Sequence, residues 1–307
     1  MIERTAISIV VLTFNEERNL PACLMSVAGW AEEVFVVDSG CTDATAAIAE
    51  RFGARVVRHP FETHARQWQW ALSDLPIRTT WVLAVDADQS VTPELAAEIT
   101  RELSRGQDSG VQGYFVKRRQ IFRGRWIRHG GYYPKYLLKL FRRSAVSVDS
   151  RDLVDHHFTV TGPVAKLHED IVEDNRNEAK IADWIAKHNR YATLQARQES
   201  AAVSGTSAIR AADAFGSPDD QTRWMKGVWR RLPLFVRPCA YVFYRYILRL
   251  GFLDGKEGFI FHVLQGFWYR LLVDINIDEL RSQPDVQATA TSVHAASMKP
   301  IKEPVAK

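Results

Sequence analysis

The sequence predicts an α/β fold, a mixed and mostly parallel sheet flanked by helices, followed by a C-terminal helical region. Three observations carry this prediction. Short β-branched runs alternate with helix-like stretches through residues 5–100, the pattern of βαβ units. The run Trp81 to Val85 stops abruptly at Asp86, as a buried parallel strand does where its carboxyl end opens into a site. From about Ile181 the periodicity becomes helical, and Trp224 to Leu280 is rich in aromatic and aliphatic side chains.

Taken in order, Ile7 to Leu12 reads as the first strand; it is short, β-branched and followed by Asn15, Glu16 and Glu17, so it is not a signal peptide. Asn19 and Pro21 mark a helix start, and Val34 to Val37 forms a second strand ending at Asp38. A helix from about Thr42 stops at Gly53, and Arg55 to Arg58 is a third strand. Thr92 as cap, Pro93 and Glu94 open a helix that closes at Gly106. Gly113 to Phe122 and Tyr136 to Arg142 are further strands, joined by an aromatic, basic, Gly-rich loop, Arg123 to Pro134, of the kind that holds ligands. The expected organisation is an α/β domain over 1–200, a surface connection over 201–220, a helical, basic and aromatic region over 221–282 and a disordered tail over 283–307.

With 307 residues, 46% of them apolar, the chain can bury a large core, which excludes a disordered protein and a minimal scaffold. Cys23, Cys41 and Cys239 are odd in number and lack metal spacing, so free thiols and a reducing compartment are expected. A net charge of +4 is too small to imply nucleic acid, and its basic excess falls late, between Arg223 and Arg270.

The chemistry concentrates at Asp86-Ala87-Asp88. Two carboxylates on a tight turn at the end of a strand can share Mg²⁺ or Mn²⁺, hard cations that complete their shells with phosphate oxygens and water. A second polar cluster, Thr13-Phe14-Asn15-Glu16, follows strand one, and Asp38-Ser39-Gly40-Cys41-Thr42-Asp43 follows strand two. Asp38 can accept from a base N–H, and Thr13, Asn15 and Ser39 offer short hydrogen-bonding groups. Asp43 reads as a helix cap. His156, His157 and His168 lack the spacing of a zinc site.

In order and spacing, Val-Leu-Thr-Phe-Asn-Glu-Glu, then Val-Val-Asp-Ser-Gly-Cys-Thr-Asp-Ala-Thr, then Asp-Ala-Asp resembles the nucleotide-binding half of family 2 glycosyltransferases with the GT-A fold. The resemblance implies that Thr13, Asn15, Glu16, Asp38 and Ser39 hold the nucleotide, and that Asp86 and Asp88 hold the metal and diphosphate. His64 to Leu72 is similar to a family helix that lies over the nucleotide, with Gln69 where Asn is usual and Arg66 either near phosphate or facing solvent; Trp68 and Trp70 read as packing residues. Val154-Asp155-His156-His157-Phe158 resembles a segment that carries an acid beside a histidine, so Asp155 or His156 is a candidate base for the acceptor hydroxyl, with Glu169 and Asp170 as the rival pair. Lys187 to Ala192 and Leu250 to Gly258 resemble signatures of the lipopolysaccharide and exopolysaccharide branches.

Leu232 to Leu250 and Phe259 to Val273 are apolar but interrupted by Arg237, Arg245, Arg249, His262 and Arg270, which suits helices lying in a membrane interface rather than spanning it. Together these readings imply inverting transfer from a nucleoside-diphosphate sugar, UDP-linked, to a glycan or lipid-linked acceptor in envelope polysaccharide synthesis, peripheral on the cytoplasmic face of an anionic membrane. The competing readings are a sugar nucleotidyltransferase and a non-catalytic nucleotide-binding membrane scaffold. The nucleotidyltransferase expects a Gly-rich phosphate loop where this chain has Thr-Phe-Asn-Glu-Glu.

Overall fold

The computed structural model describes residues 4–105, 110–148, 157–203 and 216–282. The first half alternates as expected: β1 (Thr5–Thr13), α1 (Leu20–Val27), β2 (Ala31–Asp38), α2 (Thr45–Arg51), β3 (Arg55–Arg58), α3 (His64–Asp74), β4 (Trp81–Asp86), β5 (Gln89–Val91) and α4 (Pro93–Arg105). The remaining strands are β6 (Gly113–Phe122), β7 (Arg125–Trp126), β8 (Lys135–Arg142), β9 (Val146–Val148), β10 (Phe158–Val160) and β11 (Val164–Glu173). One sheet runs β3-β2-β1-β4-β8-β6-β11-β5 with β7 attached to β6, while β9 and β10 form a separate hairpin. The β3-β2-β1-β4 neighbours are parallel, β8 enters antiparallel to β4 and β6, and β11 is parallel to β6.

Successive side chains of a strand point to opposite faces, and both faces of this sheet are covered. Ile9 and Val11 pack with Leu24 of α1, Ile48 of α2 and Ile99 of α4, whereas Val10 packs with Trp68 and Ala71 of α3 and Phe158 of β10. That double cover is why the strands read as continuous apolar runs.

Of the three helix starts read from the sequence, one follows local chemistry and two follow tertiary demand. Thr92 Oγ1 accepts from the Leu95 amide at 3.2 Å and caps α4 as expected. Asn19 does not cap α1 with its side chain. Instead its Nδ2 donates to Glu16 and Asn175, and its Oδ1 accepts from the Arg176 amide at 2.7 Å. Thr42 likewise lies outside α2, which begins at Thr45, because its amide donates to Asn15 Oδ1 at 2.8 Å.

The C-terminal part contains α5 (Ile181–Val203), α6 (Pro218–Arg231), α7 (Val236–Phe243), α8 (Gly255–Phe261) and α9 (Tyr269–Ser282). α5 runs past the expected boundary at residue 200 and buries Ala192 and Ala196 against Tyr269, Val273 and Ile277 of α9, so in packing terms it joins the later helices. Arg237, 3% exposed, ties three helices together, donating to Asp274 at 2.6 Å and to Glu199 at 3.1 Å. Most of the expected 201–220 connection and the whole 283–307 tail lie outside the described residues. Among the described residues no helix is long and apolar enough to cross a membrane.

Candidate active site

β4 delivers Asp86 to its carboxyl end, a two-residue turn presents Asp88, and β5 returns alongside β11 so that Glu173 stands opposite Gln89. One carboxylate oxygen each from Asp86, Asp88 and Glu173 lies within 4.8 Å of the others, a geometry that could hold one metal ion. An all-carboxylate oxygen set fits Mg²⁺ or Mn²⁺ rather than a softer metal. Burial, reinforced by the charges of Glu173 and Asp86, pushes the Asp88 carboxyl well above the usual carboxylate range.

The cluster is braced on every side. Gln89, fully buried, accepts from the Asp86 amide at 3.1 Å and donates to Glu173 at 2.9 Å. Lys139 Nζ lies 2.7 Å from Asp86 Oδ2, and Arg118 donates to both oxygens of Glu173 at 3.1 and 3.2 Å. Lys187 pairs with Glu178 nearby; burial opposes its charge, yet Glu178 and more distantly Asp88 raise its pKa above the ordinary lysine value.

Beside this cluster the β1 and β2 loops fold onto each other. Asp38, 1% exposed, accepts from the Gly40 amide at 3.0 Å and the Cys41 amide at 2.7 Å and pairs with Arg58 at 3.3 Å. Burial alone would raise its pKa, but those amides and Arg58 hold it below the usual range. Asn15 takes a positive φ of 56° and spends its side chain on Thr42. Glu16 accepts from Asn19 at 2.7 Å and Asn177 at 2.9 Å, and its pKa is raised by burial. Thr13 Oγ1 donates to the Val37 carbonyl at 2.9 Å, so this side chain fastens two strands rather than pointing at a ligand. Asp43 accepts from the Thr45 amide at 3.0 Å beside the start of α2, although the residue in the cap position is Ala44.

Several expected positions fall elsewhere. Gln69 faces solvent, and the α3 residue that reaches the loops is Gln67, which is 1% exposed and donates to Ser39 Oγ and the His59 carbonyl, each at 3.2 Å. The correction follows from helical period: Gln67 lies beside buried Trp68 and on the face of Ala71, whereas Gln69 points away. Arg66 is exposed and pairs with Glu62. Asp170 accepts from Arg119 at 2.6 Å and Tyr133 at 2.9 Å. Glu169 lies within an irregularity in the β11 pairing, where buried Glu98 accepts from the His168 and Glu169 amides. Asp155 and His156 lie outside the described residues.

The Arg123 to Pro134 loop is also a joint to the later helices. The His129 amide and ring both meet buried Asp254, at 2.9 and 2.7 Å, Arg245 donates to the Gly130 carbonyl at 2.7 Å, and the Gly130 amide donates to the Arg249 carbonyl at 2.8 Å. These contacts explain the Leu250 to Gly258 motif in packing terms: a side chain at Gly258 would strike the Asp254 Cβ at 2.4 Å. Glu173, Lys139, Arg118, Gln89 and Gln67 were not singled out from the sequence. Only Gln67 carried a local signal, its phase on α3; the others are brought in by strand pairing.

The carboxyl ends of these parallel strands, with three carboxylates that could hold a hard cation, mark an α/β protein with a candidate metal site. Residues 8–159 match the family model described as Glycosyl transferase family 2. Those residues, just under half of the chain, form a family 2 glycosyltransferase domain. It is 29% identical over 209 residues to the lipopolysaccharide core biosynthesis glycosyltransferase LpsC of Rhizobium meliloti (strain 1021), a match covering 65% of this chain and 73% of the relative. An uncharacterized glycosyltransferase of Rickettsia conorii (strain ATCC VR-613 / Malish 7) is 42% identical over 111 residues, 36% of this chain and 39% of that one. Among solved structures, a mannosyltransferase from Pyrobaculum calidifontis in complex with GDP-Man and Mn²⁺ is 14% identical with a TM-score of 0.44, covering 97% of this chain and 81% of that one.

Proposed function

We propose that the protein is an inverting, metal-dependent glycosyltransferase that moves a sugar from a UDP-linked donor to a glycan or lipid-linked acceptor of envelope polysaccharide synthesis, at the cytoplasmic face of a membrane. The observation that carries this reading is the convergence of Asp86, Asp88 and Glu173 beside the β1 and β2 loops of a family 2 domain. The likeness to LpsC supports the lipopolysaccharide class of acceptor.

In this reading Asp86 and Asp88 hold the cation with Glu173 as a third carboxylate. A bound Mg²⁺ or Mn²⁺ would act as a Lewis acid toward the charge that develops on the departing diphosphate. Asp38, Ser39, Asn15 and Glu16 shape the nucleotide pocket, with Gln67 fixing Ser39. Asp155 or His156 is the proposed base for the acceptor hydroxyl, because both oxygens of Asp170 already accept from Tyr133 and one of them from Arg119.

The membrane part of the reading rests on an uncovered surface. Trp224, Phe235, Phe243, Leu248, Phe252 and Leu253 are 44–61% exposed, and exposed Lys226, Arg230, Arg231, Arg249 and Lys256 lie among them. Apolar surface rimmed by cations suits an anionic lipid headgroup layer.

The test is calorimetric titration of UDP, GDP and CDP, with and without Mn²⁺, into the wild type and Asp88→Ala. Mn²⁺-dependent binding of UDP that weakens in the variant is expected. Folded protein that binds none of the nucleotides under any condition would end the donor reading.

A further inference from the structure

An extra residue in one strand of an antiparallel pair bends that strand and re-aims a side chain. β8 carries such an insertion. Tyr114 of β6 pairs with Leu140 and Phe115 pairs with Leu138, so Lys139 has no residue opposite it on β6. Its neighbours enter different apolar layers, Leu138 beside Phe115 and Leu140 beside Tyr114. Lys139 itself is 4% exposed, and its ammonium ends 2.7 Å from Asp86 Oδ2.

Burying an ammonium carries a penalty of several kcal/mol unless an opposite charge meets it. Packing alone would be served better by an apolar residue here. The bulge and the lysine are therefore explained together by the contact with Asp86. Arg118 stands in the same relation to Glu173, with 15% and 16% of the two side chains exposed. Two fixed cations thus offset most of the negative charge of the three carboxylates before any metal arrives. A divalent cation coming alone meets a site that is already largely neutralised, and it must compete with Lys139 for Asp86.

We propose that Lys139 makes cation binding depend on the diphosphate: without nucleotide its ammonium occupies Asp86, and a diphosphate draws the ammonium away and frees Asp86 for the metal. Lys139 is thereby a resident counter-ion that couples the two ligands, so that metal and nucleotide enter as one unit. This rests on the reading of the site as one for a nucleoside diphosphate. By linkage, whatever factor UDP adds to Mn²⁺ affinity, Mn²⁺ adds to UDP affinity.

The experiment is titration of Mn²⁺ alone into nucleotide-free protein for the wild type, Lys139→Met, Lys139→Gln and Lys139→Arg, with thermal melting as the fold control. The neutral variants should bind Mn²⁺ on the order of tenfold more tightly than the wild type, within the usual range of coupling between sites. Lys139→Arg should stay near the wild type. With UDP present, the enhancement of Mn²⁺ affinity should shrink in the neutral variants by a similar factor. Neutral variants that bind Mn²⁺ no more tightly than the wild type overturn the proposal. If they fail to fold, the wild type still decides the matter, because an Mn²⁺ affinity unchanged by saturating UDP overturns it as well. Absence of nucleotide binding would instead defeat the donor reading, while the Mn²⁺ titration would still report on Lys139.

Discussion

Trp68 and Trp224 both sit on amphipathic helices, yet Trp68 is fully enclosed between the sheet and Phe158, while Trp224 on α6 is 45% exposed. The difference extends to whole regions. In the sheet, Phe35 and Phe141 have no exposed surface, whereas Phe243, Leu248 and Phe252 in the later helices stand open at 55%, 61% and 44%. Both places carry many aromatic and aliphatic side chains. What differs is that the sheet offers two faces to be covered from within the chain, whereas α6 to α8 present a side that the described chain leaves uncovered. One region closes its apolar side chains inside the chain; the other leaves many of them exposed.

That contrast can be broken in several ways. The largest effect should come from the carboxylate cluster: Asp88→Ala is expected to lower turnover by about 10³-fold or more. Its thermal midpoint should not fall, because the substitution removes a buried carboxylate crowded by Glu173 and Asp86. An active variant would remove the carboxylate cluster from the mechanism. Next, Trp68→Ala should cost about 3–5 kcal/mol in denaturant unfolding, whereas Trp224→Ala should stay within about 0.5 kcal/mol. Equal losses at the two positions would erase the distinction between the regions.

Within the helices, Arg237→Met leaves Asp274 and Glu199 buried without their cation and should cost about 3–5 kcal/mol. A smaller change would show that this ion pair does not join α5, α7 and α9. The uncovered side is tested by Phe243→Glu combined with Leu248→Glu, which should reduce sedimentation with anionic vesicles roughly tenfold while leaving nucleotide binding and melting unchanged. Undiminished vesicle binding would point to a different face.

The smallest effect concerns the joint between the regions. Burial pushes the pKa of His262 down to about 4, with the Arg245 charge adding to the shift and Asp254 opposing it. Its ring lies where a side chain at Gly130 or Gly251 would collide with it. The unfolded chain protonates this histidine near pH 6.5, whereas the fold keeps it neutral to a lower pH. Its contribution to stability is therefore complete above about 6.5 and is lost as pH falls from there toward 4. Melting between pH 7.5 and 5 should be steeper for the wild type than for His262→Leu, and matching slopes would refute the assignment.

Much of the sheet was legible because its signals are local. β3 and β6 carry the bounds read from the sequence, and the Asp86-Ala87-Asp88 turn is where the Trp81 to Val85 run places it. Cap chemistry was legible at Thr92 and misleading at Asn19, since Asn19 meets Asn175 and Arg176 from a distant part of the chain. The candidate site divides in the same way. Asp38, Asp86 and Asp88 stand at strand ends that periodicity marks, whereas Gln69 was named from the motif alone and the buried α3 residue that meets Ser39 is Gln67.

The sequence by itself determined the class of the protein: alternating apolar runs specify strands and helices, and carboxylates at strand ends specify where a hard cation and a phosphate group can meet. Only the tertiary structure decided which residues complete that site. Glu173 comes from an antiparallel partner strand, Lys139 from a one-residue bulge and Arg118 from a strand two places away in the sheet, and no local pattern encodes such pairings. Register and burial act through contacts between segments far apart in the chain, so they emerge only once the sheet has closed.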